Sequence, residues 1–93
     1  MIVTEIWKFP LGAAYVQDIF MPEGAKILCV QVQRGIACLW VMVDTRAEKV
    51  ARRIAIVDTG HSCPGDSGAY IGTFQLEDAG LVSHVFERKE TTT

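Results

Sequence analysis

The chain has 93 residues, enough for one small domain but not for two barrels with a cleft between them. Hydrophobic residues make up 49% of it, which fits a folded domain and not a disordered segment. Nine basic against eleven acidic residues leave a formal net charge of −2, without the concentrated basic face of a nucleic-acid binder.

Seven strands are expected, over residues 3–9, 14–20, 26–33, 36–43, 50–57, 69–76 and 81–87. The runs are rich in Val, Ile, Phe, Tyr and Trp, and period-2 or continuous apolar patterns outnumber helical spacing. Breakers separate them: Pro10 and Gly12, Pro22 and Gly24, Gly35, the 59–68 loop, and Asp78 to Gly80. This predicts an all-β domain, a small antiparallel sandwich or barrel of about six to seven strands with at most one short helix. Residues 44–51, DTRAEKVA, are the one stretch that could instead make a helical turn, capped by Asp44 or Thr45. A single domain over 1–93 is expected, ordered over about 2–88, with a flexible tail over 89–93.

Two hairpins are legible. In AKILCVQVQ-RG-IACLWVMVD, Arg34-Gly35 reads as a two-residue turn whose Gly supplies the positive φ of a primed turn. That register pairs Gln33 with Ile36, Gln31 with Cys38, Cys29 with Trp40 and Ile27 with Met42. It puts Leu28, Val30, Val32, Ala37, Leu39 and Val41 on one apolar core face. The other face mixes Gln31 and Gln33 with Ile36, Cys38, Trp40 and Met42, so another segment or a second protomer is expected to cover part of it. In the second hairpin, EDAG would pair Leu76 with Leu81, Phe74 with Ser83, Thr73 with His84 and Ile71 with Phe86. Gly72 would mark a bulge or a close backbone approach.

Few residues invite chemistry. HSCPGDSG spells like fragments of a trypsin-like protease, but His61 and Ser67 share one loop and no second barrel is available to complete a site. His61, Cys63, Asp66 and His84 lack the spacing of a closed zinc site, so no metal and no cofactor are expected. His84 reads as a strand histidine bonded to a neighbour such as Thr73. No nucleophile–base pair and no Gly-rich phosphate loop leading into a helix appears, so no enzyme and no catalytic residue are expected. One of Arg52 and Arg53 must face the side of Val50, Ile54 and Ile56, and it needs a carboxylate, a sheet edge or an anionic ligand. Trp7 beside Lys8, and Trp40, offer aromatic surface; Thr59, Gly60 and His61 form a loop whose backbone N–H groups could approach an anion. The candidate ligand-binding set is therefore Trp7, Lys8, Trp40, Arg52, Arg53, Thr59, Gly60 and His61.

No run approaches the roughly 18 apolar residues of a membrane helix, MIVTEIWKF is not patterned as a signal peptide, and Cys29, Cys38 and Cys63 are an odd set read as reduced thiols. A cytoplasmic protein is expected, without membrane or nucleic-acid partners. The ordered motifs IWKFPL, MPEGAKIL, VQVQ, CLW, TGH, YIGTFQ and LVSHVFE resemble a family of small proteins found mainly in tailed bacteriophages and prophages. The likeness runs from about Ile6 to Glu87; Thr59, Gly60, His61, Pro64, Tyr70, Ile71, Gly72 and Thr73 match its loop and following strand. The resemblance implies context more than activity, and it transfers no catalytic residue. It implies a phage accessory protein in the host bacterial cytoplasm.

Three readings compete. The first is a non-enzymatic homo-oligomer binding an anionic small molecule, such as a nucleotide-derived immune signal, as a counter-defence device. The second is a protein-binding inhibitor of a host defence factor. The third is a structural or assembly protein of the phage particle, using its edge strands.

Overall fold

Strand-forming sequence runs almost the whole length of the chain, and the computed structural model, which describes residues 2–63 and 68–88, places seven strands there. They are β1 (Thr4–Pro10), β2 (Val16–Pro22), β3 (Lys26–Gln33), β4 (Ile36–Asp44), β5 (Lys49–Asp58), β6 (Ala69–Leu76) and β7 (Leu81–Arg88). The only helical element among the described residues is a 3-10 turn, Glu77–Ala79. The tail expected over 89–93, and Pro64 to Ser67 of the loop, lie outside the described residues.

Two antiparallel sheets result, β1-β4-β3 and β2-β5-β7-β6, stacked in a body only 17 Å across its shortest dimension. This is the expected antiparallel β domain with two layers. Strand alternation fills the space between them: Leu39, Val41 and Val43 of β4, Ile54 of β5, Phe74 of β6, Val85 of β7, Met21 of β2 and Val30 of β3 are all buried. Trp7 and Phe9 of β1 add half-buried rings to this core, 6.3 Å apart. Each such apolar side chain removed from water contributes roughly 1.5–3 kcal/mol, so the inner faces drive the stacking.

The Arg34-Gly35 turn forms as the sequence implies. Arg34 has φ 52° and Gly35 φ 78°, the two positive values of a primed turn. Gln33↔Ile36, Gln31↔Cys38, Cys29↔Trp40, Val32↔Ala37 and Val30↔Leu39 pair as expected. The register then slips: Ile27 faces Val41, and Lys26 faces Met42. Leu28 is the extra residue of a bulge, which leaves it 40% exposed and not in the core. The stretch 44–51 is not helical. Asp44 accepts the Ala47 N–H on its carbonyl and the Arg46 N–H on its carboxylate, an Asx-supported turn that lets β5 begin at Lys49.

A second bulge lies in β6. Leu76↔Leu81, Phe74↔Ser83 and Thr73↔His84 pair as expected, but Phe86 faces Tyr70 and not Ile71. Gly72 follows the bulge and faces Val85 across the inner side. Here β6 runs beside β3 of the other sheet without pairing to it. A Cβ on Gly72 would stand 2.8 Å from Val30 Cγ1, closer than real side chains sit. Gly72 therefore serves both as the bulge partner and as the point of close approach between sheets.

Polar groups fasten the two ends of the core. At one end Arg52 points inward from β5, grips both oxygens of Glu87 from β7, and donates from Nη1 to the Ala25 carbonyl at 2.9 Å. Ala25 precedes β3, so this arginine ties the four-stranded sheet to the three-stranded one. At the other end Ser83, 2% exposed, donates to Asp58 Oδ1 at 2.6 Å, and Tyr15 donates to Asp58 Oδ2 at 3.2 Å. Gly72→Ala should lower stability by about 1–3 kcal/mol through overpacking. Urea titration should then show Val30→Ala costing less in the Gly72→Ala background than alone, because the two sites share the same space.

Candidate functional site

The alternation that builds the core also scatters the residues singled out in the sequence. Trp7 faces inward, half-buried, and its Nε1 donates to Glu5 at 2.8 Å. Lys8 and Trp40 are brought together as a directly opposed pair on the outer face of β1-β4-β3. Arg52 is the inward arginine described above. Arg53 lies on the outer face of the four-stranded sheet and pairs with Asp18 at 3.1 Å, both largely exposed. Thr59, Gly60 and His61 form the turn after β5, closed by the His61 N–H on the Asp58 carbonyl at 3.0 Å. These residues do not converge on one pocket.

The Lys8–Trp40 pair does gather further partners that the sequence reading left out. Lys8 Nζ donates to Gln33 Oε1 at 2.8 Å, a bond that leaves the Gln33 Nε2 donors for another acceptor. Arg34, at the turn, stands beside them. Lys8, Gln33 and Arg34 rim a groove of about 290 Å³ whose floor is Pro10, Ile36 and Cys38. Neither Lys8 nor Arg34 forms an ion pair among the described residues. Trp40, half-buried, is the next outward residue of β4 after Cys38 and lies directly opposite Lys8. Ile6 and Ile36 stay 60% and 52% exposed on the same face, so the cover expected for it is not supplied at these positions by the described chain. The groove joins three donors, two of them cations without an ion-pair partner among the described residues.

A hydrogen-bonded chain crosses the other outer face. The Thr59 hydroxyl donates to the Val82 carbonyl at 3.0 Å, so its oxygen receives the His84 Nε2–H at 2.8 Å. His84 Nδ1 is then an acceptor and takes the Thr73 hydroxyl at 2.9 Å, while Tyr70 donates to Thr73 at 2.6 Å. The expected bond between His84 and Thr73 is present, and Thr59 is bound into it. Thr73 and His84 thus form the hydroxyl–imidazole pair that the hairpin register implies, eleven positions apart in the chain. None of the pockets described here includes either residue. Among the described residues no three His, Cys, Asp or Glu side chains gather to hold a metal, and no helix is long and apolar enough to cross a membrane.

His61 lines a different cleft, of about 430 Å³, at the end of β2 and β5, with Tyr15, Val16, Ala55, Val57, Ser62 and Arg88. Asp58 stands at its edge, already bonded to Tyr15 and Ser83.

These features define a small two-sheet antiparallel β domain with ligand-sized depressions on both outer faces. The chain belongs to the family described as a domain of unknown function, DUF7352, whose model matches residues 2–93. No curated protein and no solved structure matches it.

Two expectations follow from the polar contacts. The grip of Glu87, chiefly its hydrogen bond and then its charge, raises the Arg52 pKa above the ordinary arginine value against an opposing effect of burial. A raised cation pKa means that this stabilisation is fully present through the neutral and mildly alkaline range and fades as the pH rises through the arginine range. Arg52→Ala should therefore cost about 2 kcal/mol in urea unfolding at pH 6 and pH 9 alike, while Arg53→Ala changes stability by less than about 0.5 kcal/mol. Nitrogen NMR should find neutral His84 in its Nε2–H form, and Thr59→Val should erase that preference while the fold persists.

Proposed function

We propose that this protein is a non-enzymatic binding module that holds an anionic small molecule on the outer face of β1-β4-β3. One observation carries the reading: Lys8 and Arg34, unpaired among the described residues, flank a groove together with the Gln33 amide. Two adjacent cations repel one another, and a phosphate or carboxylate between them converts that repulsion into charge-assisted hydrogen bonds. Trp40 beside the groove offers a stacking surface for a flat ring, so a nucleotide-like ligand matches both parts. A second protomer approaching this face would meet like charge, which the ligand's anion neutralises; Ile6, Ile36 and Met42 would then be covered. The likeness of the sequence to small phage proteins supports a counter-defence role, with the ligand a nucleotide-derived signal of the host.

The test is a thermal-shift screen of the purified protein against nucleotides, cyclic dinucleotides and ADP-ribose derivatives. A ligand in hundredfold excess over its Kd should add about 2.7 kcal/mol of apparent stability. The gain should vanish in Lys8→Ala and Arg34→Ala and persist in Arg53→Ala. A flat screen, or a shift indifferent to Lys8 and Arg34, would sink the reading. The exposed Ile6, Ile36 and Met42 favour a second reading, a protein partner docked on the same face. It predicts capture of a host protein by the wild-type chain and its loss in Trp40→Ala.

A further inference from the structure

We infer that β1 is an interface between two copies of this chain: two β1 strands pair antiparallel, edge to edge, about a two-fold axis at Ile6, and join two three-stranded sheets into one. The contact forms along the edge of the sheet, not over its outer face, and it does not depend on the ligand reading.

An edge strand presents unpaired N–H and C=O groups as a template for another chain. The edges β3 and β6 run against one another. The edge β2 carries Asp18 at its centre, held sideways by Arg53, and a charge there guards the strand. β1 is left, with no described strand on its far side. At the two ends of its pairing with β4, the Thr45 N–H bonds the Val3 carbonyl and the Leu11 N–H bonds the Ala37 carbonyl, both at 2.8 Å. Bonded pairs alternate along an antiparallel ladder, so Glu5, Trp7 and Phe9 direct their backbone groups to β4. Those of Thr4, Ile6 and Lys8 point away from it, and no other described strand takes them.

The side chains match a second copy in one register. Centred on Ile6, the two strands exchange about six backbone hydrogen bonds, between the two Ile6 residues and between Thr4 and Lys8 on either side. On the outer face the exposed Met42 and Ile6 continue into Ile6 and Met42 of the second copy as one apolar row. An edge lysine normally guards against pairing. Here each Lys8 falls opposite Thr4 of the second copy, whose own neighbour is Asp44. On the inner side each Trp7 falls opposite Glu5 of the second copy, the residue that its Nε1 bonds within the chain at 2.8 Å. The neighbouring registers fail. Centred on Glu5, two carboxylates meet. Centred on Trp7, each Lys8 lies against Ile6, and Pro10, without an N–H, falls opposite Thr4. A two-fold contact of this kind closes at two copies.

Sedimentation of the ligand-free protein, with amide hydrogen exchange, tests this. The wild-type chain should sediment as a dimer and dissociate on dilution. Its Thr4, Ile6 and Lys8 amides should exchange about tenfold more slowly, or slower still, in the dimer than after dilution. Ile6 faces water in the single chain, so Ile6→Lys should keep the wild-type circular dichroism and sediment as a monomer. Phe20→Lys, a like change on the exposed edge β2, should remain a dimer. A wild-type monomer at every concentration, a dimer that survives Ile6→Lys or dissociates in Phe20→Lys, or a dimer whose Thr4, Ile6 and Lys8 amides exchange as fast as after dilution would overturn the inference. No ligand is present, so each of these outcomes leaves the reading of the Lys8 groove standing.

Discussion

Everything in this small domain depends on how closely β6 can approach β3, and that distance is set by a missing side chain. Gly72 lies where any Cβ would press on Val30. Both neighbouring edge strands carry a bulge near this contact, at Leu28 in β3 and at Ile71 in β6. Bulges bend and twist a strand, so the two edges lean together instead of ending as open templates for another chain. With the sheets joined on this side, Leu39, Val41, Ile54 and Val85 become fully buried. A 93-residue chain has little apolar surface to spare, and this contact lets it close one core with seven short strands.

Once the inner faces are committed, period 2 decides everything outside. Neighbours in sequence become residents of opposite surfaces. Trp7 enters the core while Lys8 stays outside; Arg52 turns inward to Glu87 and Ala25 while Arg53 meets Asp18 in solvent. Arg52 illustrates why an inward cation need not imply a ligand. The sandwich end supplies a bidentate carboxylate and a backbone carbonyl, which together match the guanidinium fork. Among the described residues Lys8 and Arg34, on the outer face of β1-β4-β3, have no acidic partner.

The fold was largely legible because its signals are local. Arg34-Gly35 declares a hairpin, and Glu77 to Gly80 a second one, and each fixes the register of the pairs nearest its turn. Legibility faded with distance from the turns. The bulges at Leu28 and Ile71 shift the pairing by one residue, and Gly72 hinted at only one of them. The stretch 44–51 has helix-forming composition, yet Asp44 satisfies its turn locally and the strand β5 needs Lys49 and Val50. The site was harder to read. Lys8 and Arg34 are far apart in sequence, and they meet only because β1 pairs with β4 and β4 with β3. No periodicity within a segment encodes that order. Arg34 in particular reads as a poor turn residue, and its side chain gains significance only when Lys8 and Gln33 stand beside it.

The charge distribution bears on what such a surface can do. The chain as a whole is slightly acidic, with a net charge of −2, yet the outer face of β1-β4-β3 carries Lys8, Lys26 and Arg34 against Asp44. Net charge and local field therefore have opposite signs. Over a Debye length of about 8 Å at physiological salt, the nearby cations outweigh the distant acids, so a small anion at this face senses the local field. A long polyanion would also span the acidic remainder and be repelled there. Segregation of this kind favours compact anions over extended ones without any change in total charge. It follows from strand alternation, because an outer face is free to collect one sign of charge only after the core has been closed by the other.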